Sequence, residues 1–353
     1  MRLPSVSVVV PCRNEAAYVD TFLASVAAQQ NVAFASFEVI VADGSSDDGS
    51  AERFQAATKR YRWLRIIDNP QRIVPTGLNA CIRAASGEVI VRMDMHTEYA
   101  ADYVYRSVLK LTETGAANVG GPWRARGTTP MSRAIAAAFQ SPFGCGGAKG
   151  HDLTYEGPVD NGYLGCWYRK TLFNAGLFDE GLVRNQDDEL NLRLIRSGGV
   201  VWQSPSIISW YTPRASLRLL FRQYYQYGFW KIPVIRKHRQ PASIRHLVPG
   251  AFVLSCIAIP ILGLLLSLTG HPLVGTICFL TCLIVLGLYS AIVVRESLRI
   301  ASRHGSDLML RLPAVFVTYH FAYGLGFLIG LLYWPSRPLG LTPQHRTLSG
   351  LTR

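Results

Sequence analysis

Three long apolar runs near the carboxyl terminus constrain the fold of this chain more than any other feature. They cover residues 247–269, 272–294 and 313–334. Each has about 20 residues, the length that an α-helix needs to cross a hydrocarbon core about 30 Å thick. Because only a short Gly270-His271 turn separates the first two runs, we expect them to form a helical hairpin. The sequence therefore predicts a multi-pass membrane protein with three spans.

The charge distribution divides the chain into two parts. Residues 1–213 contain 21 basic and 21 acidic residues, whereas residues 214–353 contain 15 basic and 2 acidic residues, so the whole net charge of +13 lies in the second part. Basic residues beside apolar runs favour anionic lipid headgroups and the cytoplasmic side. A nucleic-acid binder would carry this charge on its folded domain, so we expect membrane lipids and no nucleic acid as partners. We predict that residues 1–213 lie in the cytoplasm, anchored at the inner (plasma) membrane.

A basic segment, residues 214–246, separates the two parts. It contains eight Lys and Arg residues and no acidic residue, and over residues 214–231 aromatic and apolar side chains alternate with basic ones at helical spacing. This pattern predicts an amphipathic helix in the membrane interface, followed by a linker. The arginines of residues 295–312 predict a cytoplasmic loop, and residues 335–353 would form a tail.

Strands alternate with helices in residues 1–213. Apolar runs predict buried strands at residues 5–10, 37–42, 63–67 and 88–93, with helices between them. The alternation predicts an α/β fold with a mostly parallel sheet between helices. Ligands of such sheets bind beyond the carboxyl ends of the strands. We therefore expect three polar clusters that follow strands to meet at one edge: Arg13-Asn14-Glu15, Asp43 to Asp47, and Asp94-Met95-His96.

Asp94 and His96 are candidate ligands of one divalent cation, because a carboxylate and an imidazole two residues apart can reach the same ion. Such an ion, Mn or Mg, would neutralise a diphosphate leaving group. The alternative is a strand-end Asp that caps a turn beside a surface His. Asp43 leaves a similar choice between a contact to a uracil or ribose group and a local Asp-Gly-Ser turn.

Three successive acids, Asp187-Asp188-Glu189, begin a predicted helix that ends at Arg196. Acids at a helix start interact favourably with the helix dipole, but three of them exceed that need. Transfer of a group to a hydroxyl requires a base that removes the proton of that hydroxyl. A carboxylate of this group is a candidate for that base. The preceding irregular segment, Ser141 to Gly147, is expected to be a mobile loop.

In combination, these motifs resemble family 2 glycosyltransferases of GT-A fold over residues 5–231. The resemblance is carried by Val6 to Glu15, Asp43 to Asp47, Gly77-Leu78-Asn79, Gly87-Glu88, Asp94-Met95-His96 where most members have Asp-x-Asp, and Gln186 to Arg193. It implies a UDP-sugar donor, a Mn or Mg ion on Asp94 and His96, and Asp187 as the catalytic base. The residues implied for the donor are Pro11, Arg13, Glu15, Asp43 and Asp94.

A narrower resemblance is to the succinoglycan-type exopolysaccharide glycosyltransferases (ExoA-like). It is carried by Arg72 to Asn79, the Asp-x-His form, Arg184 to Glu189 and Arg222 to Lys231, with Gln186 in place of the commoner Glu. It implies an inverting transfer of glucose from UDP-glucose to a polyprenyl-diphosphate-linked oligosaccharide at the cytoplasmic face. The residues implied for the acceptor are Asp188, Arg222, Gln223, Tyr227 and Trp230.

Two other functions stay open at this stage. The acceptor can be polyprenyl phosphate itself, with the same donor site, or the protein can be a non-catalytic scaffold of a polysaccharide assembly complex. Intact Asp94, His96 and Asp187 argue against the scaffold. The Gln-x-x-Arg-Trp form of processive synthases is absent, and three spans are too few for a polymer channel, so single-sugar addition is favoured over processive synthesis.

Overall fold

The computed structural model describes residues 4–29, 34–335 and 337. Within these, the chain divides into two units. Residues up to 124 together with 148–212 form the first, which we call the sheet unit. Residues 125–147 together with those from 213 onward form the second, which we call the helical unit. The predicted domain 1–213 therefore contains one segment, 125–147, that belongs to the helical unit.

Strands run through the sheet unit in a mixed, mostly parallel sheet, as the sequence predicts. The strands in chain order are β1 (Val6–Cys12), β2 (Phe37–Asp43), β3 (Leu64–Asp68), β4 (Val89–Arg92), β5 (Thr97–Tyr99), β6 (Asn118–Gly121), β7 (Arg124–Ala125), β8 (Gly157–Pro158), β9 (Tyr163–Tyr168), β10 (Val201–Gln203) and β11 (Ser209–Tyr211). The large sheet has the order β3-β2-β1-β4-β9-β6-β10-β8. β9 runs antiparallel to both of its neighbours, and β8 runs antiparallel to β10. A smaller pairing joins β5 and β11 in antiparallel fashion.

Helices cover both faces of the large sheet. The helices of the sheet unit are α1 (Val19–Ala27), α2 (Ser50–Thr58), α3 (Val74–Ala84), α4 (Tyr103–Thr114), α7 (Arg169–Ala175) and α8 (Gln186–Arg196); between them in the chain lie α5 (Pro130–Phe139) and α6 (Pro142–Cys145) of the helical unit. Side chains of a strand alternate between the two faces. Val8 and Val10 accordingly pack in one core with α1 and α4, whereas Val9 packs in the other with α3 and α8. Two apolar layers thus hold the sheet from both sides.

The first strand extends beyond residue 10, where the predicted strand ends. β1 continues to Cys12, and Pro11 pairs in register with Ala42 of β2. Val9 accepts a hydrogen bond from the Met93 N–H (3.2 Å) and is the last β1 residue in register with β4. Since alternate residues point their backbone groups to the same side, the nitrogen of Pro11 faces β4 beyond this last pair. Its missing N–H costs no ladder hydrogen bond, so the strand tolerates it.

Among its described residues, the helical unit contains three helices that are long and apolar enough to cross a membrane. After α9 (Leu217–His238) come α10 (Val248–Leu268), α11 (Pro272–His304) and α12 (Leu312–Tyr333). The turn between α10 and α11 contains Gly270 with φ of +89°, a conformation that favours glycine. α11 continues ten residues beyond the predicted apolar run that ends at 294, so residues 295–304 of the predicted loop 295–312 are helical instead. Its polar end keeps helical contacts such as the Glu296–Arg299 pair at 3.5 Å.

The predicted mobile loop, Ser141 to Gly147, contains the short helix α6, which follows α5 in the segment 125–147. α5 and α6 pack within the helical unit, where the Tyr319 hydroxyl donates to the carbonyl of Ile135 (3.0 Å). The Phe143 ring lies 5.2 Å from Phe316 and 4.8 Å from His320. The loop prediction from the Gly-rich sequence is wrong because contacts with α12 stabilise a helix that the local sequence would not form by itself.

Close backbone packing joins α9 to α12. A Cβ added to Gly228 would lie 2.0 Å from the Tyr323 carbonyl oxygen, and one added to Gly326 would lie 2.0 Å from the Tyr225 carbonyl oxygen. Small residues let helices approach in this way in membranes. Residues 228–234 of α9 are consequently buried, including Lys231, one of the basic residues of the predicted interface helix.

We predict that Gly326→Val separates α9 from α12 and lowers thermal stability, because the new methyl groups have no space. Overpacking of this kind typically costs about 1–3 kcal/mol. The measurement is the unfolding temperature of purified full-length protein in detergent. Gly287→Val is the matched control, since a Cβ at Gly287 of α11 meets nothing within 4 Å. Equal unfolding temperatures for the two variants would contradict the packing argument.

Candidate active site

The first two polar clusters meet directly at the carboxyl edge of β1 and β2. Asn14 adopts a left-handed conformation with φ of +54°. Its side-chain amide donates to the Asp47 carboxylate (2.8 Å) and its amide oxygen accepts from the Asp47 N–H (3.0 Å). The Asn14 N–H also donates to the Ser46 hydroxyl (2.9 Å). These reciprocal bonds fix the two loops as one polar surface.

Asp43, predicted to contact the nucleotide, lies buried at the end of β2. Its carboxylate accepts from the Ser46 N–H (3.1 Å) and from the Ser46 hydroxyl (2.6 Å). The local turn that the sequence offers as an alternative is therefore present. Arg13 lies beside it and donates to the carbonyl of Arg72 (3.4 Å). Pro11 is partly exposed at the strand end.

The third cluster joins the first through Glu15 and His96. The Glu15 Oε1 and His96 Nδ1 atoms lie 3.4 Å apart, and the His96 side chain is 44% exposed. Asp94, two residues before His96, forms a two-point ion pair with Arg92 at 2.8 and 2.9 Å. The fold thus brings the strand ends of β1, β2 and β4 to one edge, as the sequence predicts from the parallel sheet.

Asp94 and His96 are the candidate metal ligands at this edge. Among the described residues no group of three or more His, Cys, Asp or Glu side chains surrounds a common point. A carboxylate and an imidazole nevertheless fit a Mn or Mg ion that takes its other ligands from a diphosphate and from water. The Arg92 contact uses one lone pair on each Asp94 oxygen and leaves the second of each for a metal.

Arg92 is a site residue that the sequence reasoning missed. Burial by itself would lower the pKa of its guanidinium, but the carboxylates of Asp94 and Asp187 outweigh burial and raise that pKa above its ordinary value. Arg92 therefore lies within electrostatic reach of both acids. The signal in the sequence was a charged residue at the end of an apolar strand, two positions before Asp94.

The three acids at the start of α8 have different surroundings. Glu189 is fully buried and pairs with Arg193 at 2.8 Å. Asp188 accepts from the Asn161 side chain, which in turn accepts from Asn191. Asp187 accepts from the Asp188 N–H (3.0 Å). Glu189 thus stabilises the fold, whereas Asp187 and Asp188 lie at the site.

The carboxyl of Asp187 has a pKa above its ordinary value. Burial is the largest cause, the negative charge of Asp188 adds to it, and Arg92 opposes both. A raised pKa makes a carboxylate a stronger proton acceptor near neutral pH.

The helix α8 begins after Asn185, whose φ is +59°, and its first residue, Gln186, is 7% exposed. The Gln186 Oε1 atom has no hydrogen-bond partner among the described residues.

The acceptor residues predicted in α9 belong to the helical unit. Gln223 donates to the Tyr227 hydroxyl (3.0 Å). Trp230 is 2% exposed and packs against Trp334 at 5.0 Å between ring centroids. Arg222 lies on the same helix, partly exposed. Asp188 is part of the sheet unit, so the predicted acceptor set is divided between the two units.

Comparison with known proteins decides the family. Residues 7–174 match the model of glycosyl transferase family 2. Residues 7–174 thus form a family 2 glycosyltransferase domain. The chain is 29% identical over 246 residues to the succinoglycan biosynthesis protein ExoA of Rhizobium meliloti, which covers 69% of this chain and 74% of that protein. The predicted family and its nearer resemblance are confirmed.

Two further proteins are similar over most of this glycosyltransferase. A Methanococcus voltae enzyme named dolichyl N-acetyl-alpha-D-glucosaminyl phosphate 3-beta-D-2,3-diacetamido-2,3-dideoxy-beta-D-glucuronosyltransferase is 24% identical over 93% of this chain and 97% of its own. The mannosyltransferase PcManGT from Pyrobaculum calidifontis, solved with GDP-Man and Mn2+, has a TM-score of 0.58 and 15% identity over 96% of this chain and 89% of that chain. This structural likeness shows the fold and confirms the predicted GT-A class.

We predict that Asp188→Asn moves the acidic limb of the turnover profile to lower pH. The carboxylate of Asp187 must be ionised to accept a proton, and the substitution removes a negative charge that raises its pKa. The measurement is kcat against pH for wild type and variant. Asp20→Asn, an exposed carboxylate paired with Arg53, is the control and should leave the limb in place. An unchanged limb in Asp188→Asn would argue against Asp187 as the titrating group.

Proposed function

We propose that this glycosyltransferase moves glucose from UDP-glucose onto a polyprenyl-diphosphate-linked oligosaccharide, with inversion at the anomeric carbon. The observation that carries the proposal is the arrangement at one sheet edge of Asp94, Arg92 and Asp187 beside the Glu15–His96 pair. The ExoA relative, named for succinoglycan biosynthesis, supports exopolysaccharide assembly as the setting.

The residues of the first two clusters hold the nucleotide in this proposal. Asp43 and Glu15 accept hydrogen bonds from uridine, and Pro11 and Arg13 contribute backbone groups beside it. Asp94 and His96 would hold a Mn or Mg ion, which supplies positive charge to the diphosphate leaving group. The mannosyltransferase of similar fold was solved with a nucleotide sugar and Mn2+, which supports this ion.

Asp187 removes the proton from the acceptor hydroxyl. Its raised pKa lets it take a proton that the attacking oxygen loses as it bonds to the anomeric carbon. The oxygen approaches from the face opposite the nucleotide, so a single displacement inverts the configuration. Arg92 keeps Asp94 oriented through its two-point contact and balances the negative charge of Asp187.

Lipid attachment of the acceptor is supported by the helical unit. Its three apolar helices suit a membrane location, and the basic residues of 214–246 suit an anionic cytoplasmic surface. The Methanococcus voltae relative carries a dolichyl phosphate-linked sugar in its name. That name favours extension of a lipid-linked saccharide over transfer to the lipid phosphate alone.

A panel of nucleotide sugars tests the proposed reaction. Purified full-length protein should release UDP fastest from UDP-glucose, and faster still when lipid-linked oligosaccharide is added. Asp187→Asn should lower turnover by about 10²–10⁴-fold, the usual loss for a general base, while UDP affinity stays the same. Near-normal turnover of Asp187→Asn would refute the assignment of the base. Release from none of the sugars would refute the donor class.

Metal dependence has its own test. We expect chelator to abolish turnover and Mn to restore it better than Mg, because imidazole is a softer ligand than carboxylate. His96→Asp should raise activity with Mg relative to Mn, since it replaces the softer ligand. The measurement is UDP release with each metal after chelation and dialysis. Full activity in chelator would refute the metal site, and an unchanged metal preference in His96→Asp would refute the role of His96.

A further inference from the structure

A cluster of aromatic rings in the sheet unit plays no part in the mechanism above. The Trp123 ring centroid lies 5.4 Å from that of His151, 4.9 Å from that of Tyr163 and 6.4 Å from that of Tyr211. All four residues are partly exposed. We call this group the aromatic platform. These rings lie at the surface, unlike the fully buried Phe22 and Phe54, although Tyr163 also packs against the apolar core.

Hydrogen bonds connect the platform to the reacting residues. The hydroxyls of Tyr163 and Thr97 lie 3.3 Å apart, and the Thr97 N–H donates to the carbonyl of Asp94 (3.2 Å). Burial raises the pKa of Tyr163 above its ordinary value, and the Asp94 carboxylate raises it further. Asn161, two residues before Tyr163, donates to Asp188. The platform therefore lies beside both Asp94 and the start of α8.

Sheet topology places the platform on the side of Asp94 that faces away from the nucleotide cluster. Along the sheet order, β2 and β1 carry Asp43 and Glu15, and β4 carries Asp94. Next comes β9, which begins at Tyr163, and then β6, which is followed by Trp123. Because β9 is antiparallel to β4, its first residue lies at the carboxyl edge of β4. The order along the edge is thus nucleotide, diphosphate, then aromatic rings.

The loop that carries His151 is held in place by Gln203 of β10. The buried Gln203 side-chain amide lies within hydrogen-bond distance of three carbonyls of this loop, those of Lys149, Asp152 and Tyr155. The Trp123 N–H donates to the carbonyl of Gly150 (3.0 Å). These contacts fix the rings before any ligand arrives, which lowers the entropy cost of binding.

We propose that Trp123, with His151 and Tyr211, binds the sugar ring of the saccharide acceptor that receives the transferred residue. This assignment rests on the proposed function. A pyranose has an apolar C–H face and a polar hydroxyl rim. Partly exposed aromatic rings contact the first, and neighbouring polar groups contact the second. A sugar on the platform lies next to Asp188 and so within the neighbourhood of Asp187, where an acceptor hydroxyl must lose its proton.

The test is saturation-transfer NMR on full-length protein in detergent. The probes are methyl β-glucoside, methyl β-galactoside and methyl N-acetyl-β-glucosaminide. We expect at least one to receive saturation from wild type, and Trp123→Ala to lower its affinity by about fivefold or more, the order expected for loss of one aromatic contact. Trp123→Phe should retain part of the affinity. UDP affinity should be unchanged in both variants.

Trp63→Ala is the matched control. Trp63 is also partly exposed, and its ring centroid lies 4.7 Å from that of Tyr61. It differs in position, because it directly precedes β3 at the opposite edge of the sheet. It should bind the glycosides as wild type does. Equal glycoside binding in Trp123→Ala and wild type, an equal loss in Trp63→Ala, or no glycoside binding by wild type would each overturn the proposal. UDP affinity and UDP release test the proposed function, whereas glycoside binding tests the platform. A failure of the proposed function would therefore be recognised even if the platform binds glycosides.

Discussion

The charge of Arg92 is the interaction on which the site depends. Its guanidinium is 8% exposed at the end of β4, where it contacts Asp94 and lies near Asp187. A buried charge is costly unless it is paired, and so are buried carboxylates. Arg92 offsets the desolvation of both acids and holds together two groups with different proposed roles, a metal ligand and a base. Removing it would leave Asp94, Asp187 and Asp188 as neighbouring negative charges.

A second constraint is the division of the chain between the two units. The segment 125–147 leaves the sheet unit after Arg124, forms α5 and α6 within the helical unit, and returns at Ala148. The chain therefore passes between the units there as well as at Thr212–Pro213.

Apolar packing alone does not explain the helical unit. The helices α9 and α12 approach closely because Gly228 of α9 leaves room for the α12 backbone, and Gly326 of α12 leaves room for the α9 backbone. In a bilayer, lipid tails are as apolar as leucine side chains, so close van der Waals contact stabilises helix pairs where hydrophobic burial does not. The buried Lys231 on α9 shows that helical periodicity over 214–231 is an incomplete guide to exposure.

The sequence by itself determined the features that depend on short-range patterns. The runs of Val and Ile predict β1, β2 and β4, and a parallel sheet necessarily brings Glu15, Asp43 and His96 to one edge, since strand ends of one direction coincide. Three apolar runs of sufficient length specify the membrane helices. Tertiary structure decided what depends on contacts between distant residues. The antiparallel insertion of β9, the placement of 125–147 in the helical unit and the electrostatic interaction of Arg92 with Asp187 join segments that carry no local sign of one another. The aromatic platform likewise assembles Trp123, His151, Tyr163 and Tyr211 from separate loops and strands, because side-chain proximity across a sheet edge is set by strand order rather than by spacing along the chain.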